Sequence, residues 1–341
     1  MTTLYRPRAA VSGLSSVWMA QVLQLLGRLE FTRTRWVHRL LGQEQHRSTT
    51  WRQLQLLHQQ RLVWSAQLPA ERVPGAVGAL NRQAPPEAPH VWGITRLGVQ
   101  WLAEHGIETD PGMLALLQPR DWADPAIALG TIRHDLHTSD HCCAMLAGAL
   151  RHPHLASVRL AVEYVSARTP EGKERQRFDA LLVLCFGERP SPRGSTIIPF
   201  DREPPAGAIS CRFALEIDMG SEQLSILLGK AAMYRALTLS GHYDQMLGGP
   251  VEPIVLVPNP EGRARDRNRG KWVALEWQQG WPDPDRAGLL ATFGGAQVGG
   301  DGIRGRYLAL AGEAGTQRFV LERFGITRAA WEAAISTGGT R

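Results

Sequence analysis

The stretch F-A-L-E-I-D-M-G-S-E-Q-L-S-I-L-L-G-K-A-A-M-Y, residues 213–234, reads as a short apolar strand carrying Glu216 and Asp218, a glycine turn, and a helix that brings Lys230 and Tyr234 back toward the strand. Two carboxylates at i and i+2 share one face of a strand, because successive side chains alternate. A solvated edge strand has the same spacing. Here Phe213, Leu215 and Ile217 mark the strand as buried, and a buried carboxylate needs a partner, a proton or a metal.

Upstream, residues 158–166 (V-R-L-A-V-E-Y-V-S) alternate as a strand with Glu163 near its end. A charged turn leads to residues 177–186 (R-F-D-A-L-L-V-L-C-F), a second strand with Asp179 at its start, and the two read as a hairpin. Residues 187–210, rich in Pro, Gly and Ser, form a loop before the strand of Glu216. After it come a helix over 221–239 and a buried strand, P-I-V-L-V-P, at 253–258. Ahead of the hairpin, a helix over 134–151 places His134, His137 and His141 on one face. The zinc-hydrolase pattern H-E-x-x-H is absent, so these histidines read as packing or capping groups.

In the first third, residues 17–29 carry apolar positions at three- and four-residue intervals, as on an amphipathic helix. Thr32 or Thr34 can cap a second helix ending near Gly42, and Ser48, Thr49 and Thr50 offer a cap for a third. Strands at 62–67 and 90–94 flank a segment rich in Pro, Gly and Ala, and a fourth helix begins at Thr95. Three helices, a hairpin and a W-x-I-T-x-x-G turn into a helix resemble winged-helix DNA-binding domains over residues 15–107. The resemblance implies that the third helix presents Ser48, Thr49, Thr50, Arg52, Gln53 and Gln55 or Gln59 to DNA. Arg33, Arg35 and Arg47 would then meet phosphates, with Arg72 or Arg82 on the wing. Winged helices also serve as protein-interaction modules, and that alternative stays open.

Charge supports the nucleic-acid reading. The 341-residue chain carries a net +6, and residues 1–110 alone hold twelve arginines, no lysine and seven acids. An excess of that sign favours an anionic partner. Only Lys173, Lys230 and Lys271 are lysines among 38 basic residues, which singles each of them out. Cys142, Cys143, Cys185 and Cys211 lack C-x2-C spacing and read as reduced packing residues. No run of 18 apolar residues occurs and the N-terminus lacks a signal-peptide core, so the expectation is a cytoplasmic protein with no membrane partner.

The second half, helix, strand, strand, strand, helix, strand, with an acid on the second strand and Glu-x-Asp on the third, resembles the PD-(D/E)xK nuclease core. That resemblance implies Mg²⁺ (or Mn²⁺) held by Asp179 and Glu216, with Glu163, Asp218 and Asp140 as further ligand candidates. Asp218 stands at the motif's lysine position and Phe178 at its proline, so Lys230 would supply the cation. Asp218 can instead cap the following helix. More specifically, His134-Asp135-Leu136, Arg177-Phe178-Asp179-Ala180-Leu181, the segment L-E-I-D-M-G-S-E at 215–222, and Lys230 with Tyr234 resemble the bacterial replication-relaxation proteins of plasmids and mobile elements, over residues 15–260.

The implied architecture is α+β / α/β: a winged helix-turn-helix domain at 1–110, a linker at 111–130, a three-layer nuclease-like domain with a mixed central sheet at 131–262, and a C-terminal extension at 263–341. The extension opens on a basic cluster at 263–271, read equally as a phosphate contact or a solvated loop. The implied function is binding of double-stranded DNA, with cleavage or nicking by Asp179, Glu216 and Lys230. The alternative is a non-catalytic regulator or relaxosome-type accessory factor, in which the same domain supports a homodimer or contacts replication or mobilisation proteins.

Overall fold

The computed structural model describes residues 14–42, 45–67, 90–107, 129–150, 154–170, 172, 174–187, 197–217, 224–249, 251–258 and 291–293. The chain divides into two compact units, Met1–Asp140 with Ser195–Ile198, and His141–Gly194 with Pro199–Arg341. The division falls later than the expected 111–130 linker, of which residues 111–128 lie outside the described residues.

In the first unit, α1 (Ser16–Arg28) buries Met19, Val22, Leu23, Leu25 and Leu26, the stripe its apolar spacing prescribes. Strand β1 (Thr32–Arg33) runs directly into α2 (Thr34–Leu41), and α3 spans Arg47–Gln59. The cap of α3 is His46, whose side chain accepts from the Ser48 amide, so the expected Ser-Thr-Thr cap lies inside the first turn. Strands β2 (Val63–Gln67) and β3 (His90–Ile94) pair antiparallel with Val63 opposite Ile94, and β1 adds to the other edge of β3. Helix α4 (Arg96–Glu104) starts where Thr95 accepts from the Gly98 amide at 3.1 Å.

Two small residues make the hairpin pack. Gly93 lies under the Trp64 ring, where an added Cβ would strike Cζ2, and a Cβ on Gly98 would strike the Leu62 carbonyl oxygen. Trp92, fully buried and next to Gly93 in sequence, donates its indole N–H to Thr34 Oγ1 at 2.8 Å and so ties β3 to α2.

In the second unit the chain runs from α5 (Leu129–Ala149), whose first part belongs to the other unit, into β4 (Leu155–Arg168), β5 (Glu174–Phe186) and β6 (Ile209–Ile217). Each of these three strands is antiparallel to the next. Helices α6 (Leu224–Leu239) and α7 (His242–Leu247) then return the chain to β7 (Glu252–Pro258), which lies parallel to β6, and β8 (Ala291–Phe293) is parallel to β7. Parallel neighbours require such a crossover. The five-stranded sheet, β4-β5-β6-β7-β8, is therefore mixed and the whole is α+β.

Strands β4 and β5 are longer than their apolar runs suggest, so Asp179 sits inside β5 and not at its start. Beyond Ala180, opposite Leu215, the pairing of β6 with β5 ends, whereas β4 and β5 stay paired out to Arg168 opposite Glu174. Among the described residues the hairpin thus runs past the end of β6. Arg212 on β6 closes the far end of the crossover, donating to the carbonyls of Leu247 at 2.7 Å and Gly248 at 2.8 Å. Gly248 and Gly249 take positive φ there, and a Cβ on Gly249 would strike the guanidinium. The basic cluster at 263–271 lies outside the described residues.

Candidate functional site: a carboxylate pair at the end of β6

Strand β6 is buried on both faces: Phe213, Ala214, Leu215, Glu216 and Ile217 are all at most 8% exposed. Glu216 therefore brings a carboxyl group into the interior, where each oxygen must find a donor. Helix α6 supplies both. Tyr234 donates its hydroxyl to Oε1 at 2.7 Å, and Lys230 donates Nζ to Oε2 at 3.1 Å. The two donors are four residues apart and so share one helix face. Tyr234 is fully buried and its hydroxyl is held well above its ordinary pKa, first by burial and then by Glu216, so it stays a donor.

Asp179 is the neighbour on β5, one residue beyond the last β5–β6 pair just as Glu216 is on β6. Its Oδ2 accepts from the Ile217 amide at 2.6 Å, taking over where the backbone ladder stops. The two acids raise one another's cost of ionisation. Glu216 is pushed up to about 7, first by burial and then by Asp179, against the opposing pull of Lys230 and of the Tyr234 hydrogen bond.

Phe178, where the sequence resemblance expects proline, has a clear role. It is fully buried and stacks on Tyr234 with ring centroids 5.4 Å apart and planes 11° apart. Phe178 and Leu181, three residues apart, both pack in the cluster formed with Ala214, Ala231 and Tyr234. Asp179 lies between them on β5. On the same rung of β4, between the pairs Val162 with Ala180 and Tyr164 with Phe178, Glu163 holds a left-handed φ of 52°. A non-glycine residue held there marks local strain.

The other acids are placed elsewhere. The Glu163 carboxylate lies 2.9 Å from Arg177 Nη1. Asp140, buried in α5, receives Arg33 at 3.0 Å, Arg35 at 2.9 Å and the Trp36 indole N–H at 2.6 Å within the first unit. Asp218 lies outside the described residues. Among the described residues no three His, Cys, Asp or Glu side chains converge as a metal-binding group. His134 pairs with Asp135 at 3.2 Å and His141 is buried, as packing residues would be. All four cysteines are buried and free.

Of the residues expected to face DNA, Arg47, Ser48 and Arg52 are exposed along one side of α3, and Thr49 and Gln53 are half-buried. Gln53 accepts from Gln45 at 2.9 Å. Thr50 corrects the expectation: it is fully buried with its hydroxyl 3.1 Å from His38 Nδ1, so it belongs to the core between α2 and α3. Arg33 and Arg35 are likewise engaged with Asp140, more than a hundred residues away, and Arg33 is buried. Arg72 and Arg82 lie outside the described residues.

The family model for replication-relaxation proteins matches residues 23–250, two-thirds of the chain, and spans every residue of the carboxylate site. The chain belongs to the replication-relaxation family. No curated protein and no solved structure matches it. Within this replication-relaxation match, the sequence brings Tyr234 back toward the strand beside Lys230 but does not disclose its role as the donor to Glu216 Oε1. Its signal was the i, i+4 spacing from Lys230. The Asp140 cluster had no local signal at all. Among the described residues no helix is long and apolar enough to cross a membrane.

Proposed function

We propose that this replication-relaxation protein is a double-stranded-DNA-binding protein of a plasmid or mobile element, with a winged-helix first unit and a PD-(D/E)xK-like second unit that nicks or cleaves DNA. The observation that carries the reading is the meeting of Asp179, Glu216 and Lys230, from two strands and a helix, at the end of β6. In the first unit, Arg47, Ser48 and Arg52 form the exposed side of the third helix, the side that meets the major groove in such modules.

The donor set suits a divalent cation. Mg²⁺ is commonly held by one or two carboxylates with the substrate's phosphates completing its shell, and a cation would offset the two causes that push Glu216 up to about 7, burial first and then the charge of Asp179. Asp179 and Glu216 would hold it. When bound, Mg²⁺ or Mn²⁺ neutralises charge on a phosphodiester and lowers the pKa of bound water. The chain's own groups do the rest: Tyr234 fixes the Glu216 carboxylate, and Lys230, part-exposed at the rim of the site, places a positive charge beside it.

A second reading is favoured by one observation. Both oxygens of Glu216 already have donors, so the site is complete as a structural unit without a metal. In that reading the protein is a non-catalytic DNA-binding accessory factor. Incubation with supercoiled DNA in Mg²⁺ or Mn²⁺ separates the two. Nicking or linearisation that is lost in Asp179→Ala and Glu216→Ala is expected; no cleavage, or cleavage undiminished in both variants, leaves the accessory role.

A further inference from the structure

The β4–β5 hairpin carries exposed arginines that the site described above does not use. Arg168, Arg175 and Arg177 are all exposed on the part of the hairpin that runs beyond the β6 pairing. The neighbours of Arg177 fix its direction. Phe178 stacks on Tyr234, and Gln176 accepts from the Tyr243 hydroxyl at 2.7 Å, so both point toward α6 and α7. Arg177 between them takes the opposite face, and its side chain remains 54% exposed.

Two features hold it there. Glu163, turned by its left-handed backbone, sets a carboxylate 2.9 Å from Nη1. Arg177 also lies two residues from Asp179, roughly 6.6 Å along an extended strand. On its face of the sheet it stands apart from Lys230 and Tyr234, which reach Glu216 from α6.

We propose that the end of the β4–β5 hairpin is a second phosphate-contact surface for double-stranded DNA, with Arg177 at its centre and Glu163 as the residue that positions it. The inference rests on the DNA-binding reading of the preceding section and adds a contact in the second unit to those of α3. Glu163 thereby becomes an arginine-positioning residue and not a metal ligand.

The test is fluorescence anisotropy of a labelled duplex titrated with the full chain, repeated from about 50 mM to about 200 mM salt. Arg177→Gln is expected to weaken binding about five- to tenfold near the middle of that range and to reduce the log–log salt slope by about one. Arg177→Lys should keep most of both, because it keeps the charge. An exposed arginine tolerates these changes, and an unchanged thermal midpoint verifies that the variants are folded. Affinity and slope equal to wild type in Arg177→Gln overturn the inference. If wild type itself binds no duplex, the DNA-binding reading falls and this one with it; if Arg47→Gln and Arg52→Gln weaken binding while Arg177→Gln does not, only the hairpin surface falls.

Discussion

Glu216→Gln isolates the protonation of the carboxylate site. In the folded protein Glu216 is pushed up from 4.5 to about 7, first by burial and then by Asp179. The native state therefore holds a proton that the unfolded chain releases, and stability must rise as pH falls from above 7 toward 4.5. For one such group the gain between about pH 8 and about pH 5.5 is roughly 2 kcal/mol. His38 and His90 act in the opposite sense, because burial lowers both below their ordinary value and protonating them costs stability as pH falls. They are common to wild type and variant, so the difference between the two chains cancels them. Urea unfolding at a series of pH values is expected to give a wild-type-minus-variant stability that climbs by about 2 kcal/mol toward acid pH. A difference that stays level across the range would refute the idea that Glu216 is a buried carboxyl raised by its neighbours. Asp179→Asn supplies a control, since removing the second carboxylate must bring the rise in stability to a lower pH.

Other substitutions probe the supports. Tyr234→Phe keeps the ring stacked on Phe178 but strips Glu216 Oε1 of its donor; a loss of about 1.5–3 kcal/mol at neutral pH is expected from urea unfolding, because the bond is to a charged or half-charged group. Asp140→Ala leaves the Arg33 guanidinium buried without its carboxylate, and a thermal scan should record destabilisation on the order of 3–5 kcal/mol, whereas a surface ion pair would cost under about 1 kcal/mol. Gly93→Ala drives a methyl group into the Trp64 ring; Trp64 must move, and the expected loss is about 1–3 kcal/mol, read from the same scan.

Much of the fold was legible because local pattern and tertiary role agree. The strand of Glu216 reads as buried from Phe213, Leu215 and Ile217, and Thr95 reads as a cap from its place before an apolar period; both expectations hold. The meeting of Glu216 with Lys230 was legible too, since a strand, a turn and a helix spanning fourteen residues bring the pair together. The α3 cap was misread because Ser48, Thr49 and Thr50 are all good caps, while His46 is an unusual one. Arg33 and Arg35 resembled surface arginines because their partner, Asp140, is distant in sequence and only the folded chain supplies it. Strand β1 is two residues long and gains its place from pairing with β3, which no window of sequence can register.

Phe178, Lys230 and Tyr234, the residues that set the proposed nuclease-like reading apart from its pattern, form one mechanical unit. A lysine two residues after Glu216 would be carried by the strand itself and need no help from the helix. Because Lys230 stands on α6, its distance from Glu216 depends on the rotation of that helix against the sheet, and something must set that rotation. Tyr234 does so from one turn further along, through its hydroxyl on Oε1. Phe178 does so from β5, by stacking on the Tyr234 ring where a proline would present far less surface. Aromatic stacking of this kind contributes about 0.5–1.5 kcal/mol beyond burial and, more to the point, fixes orientation. Phe178, Tyr234 and Lys230 are thus coupled: Phe178→Ala, which removes the stacked ring and keeps the strand's amide, should loosen the Lys230 ion pair although Phe178 touches neither member of it by hydrogen bond.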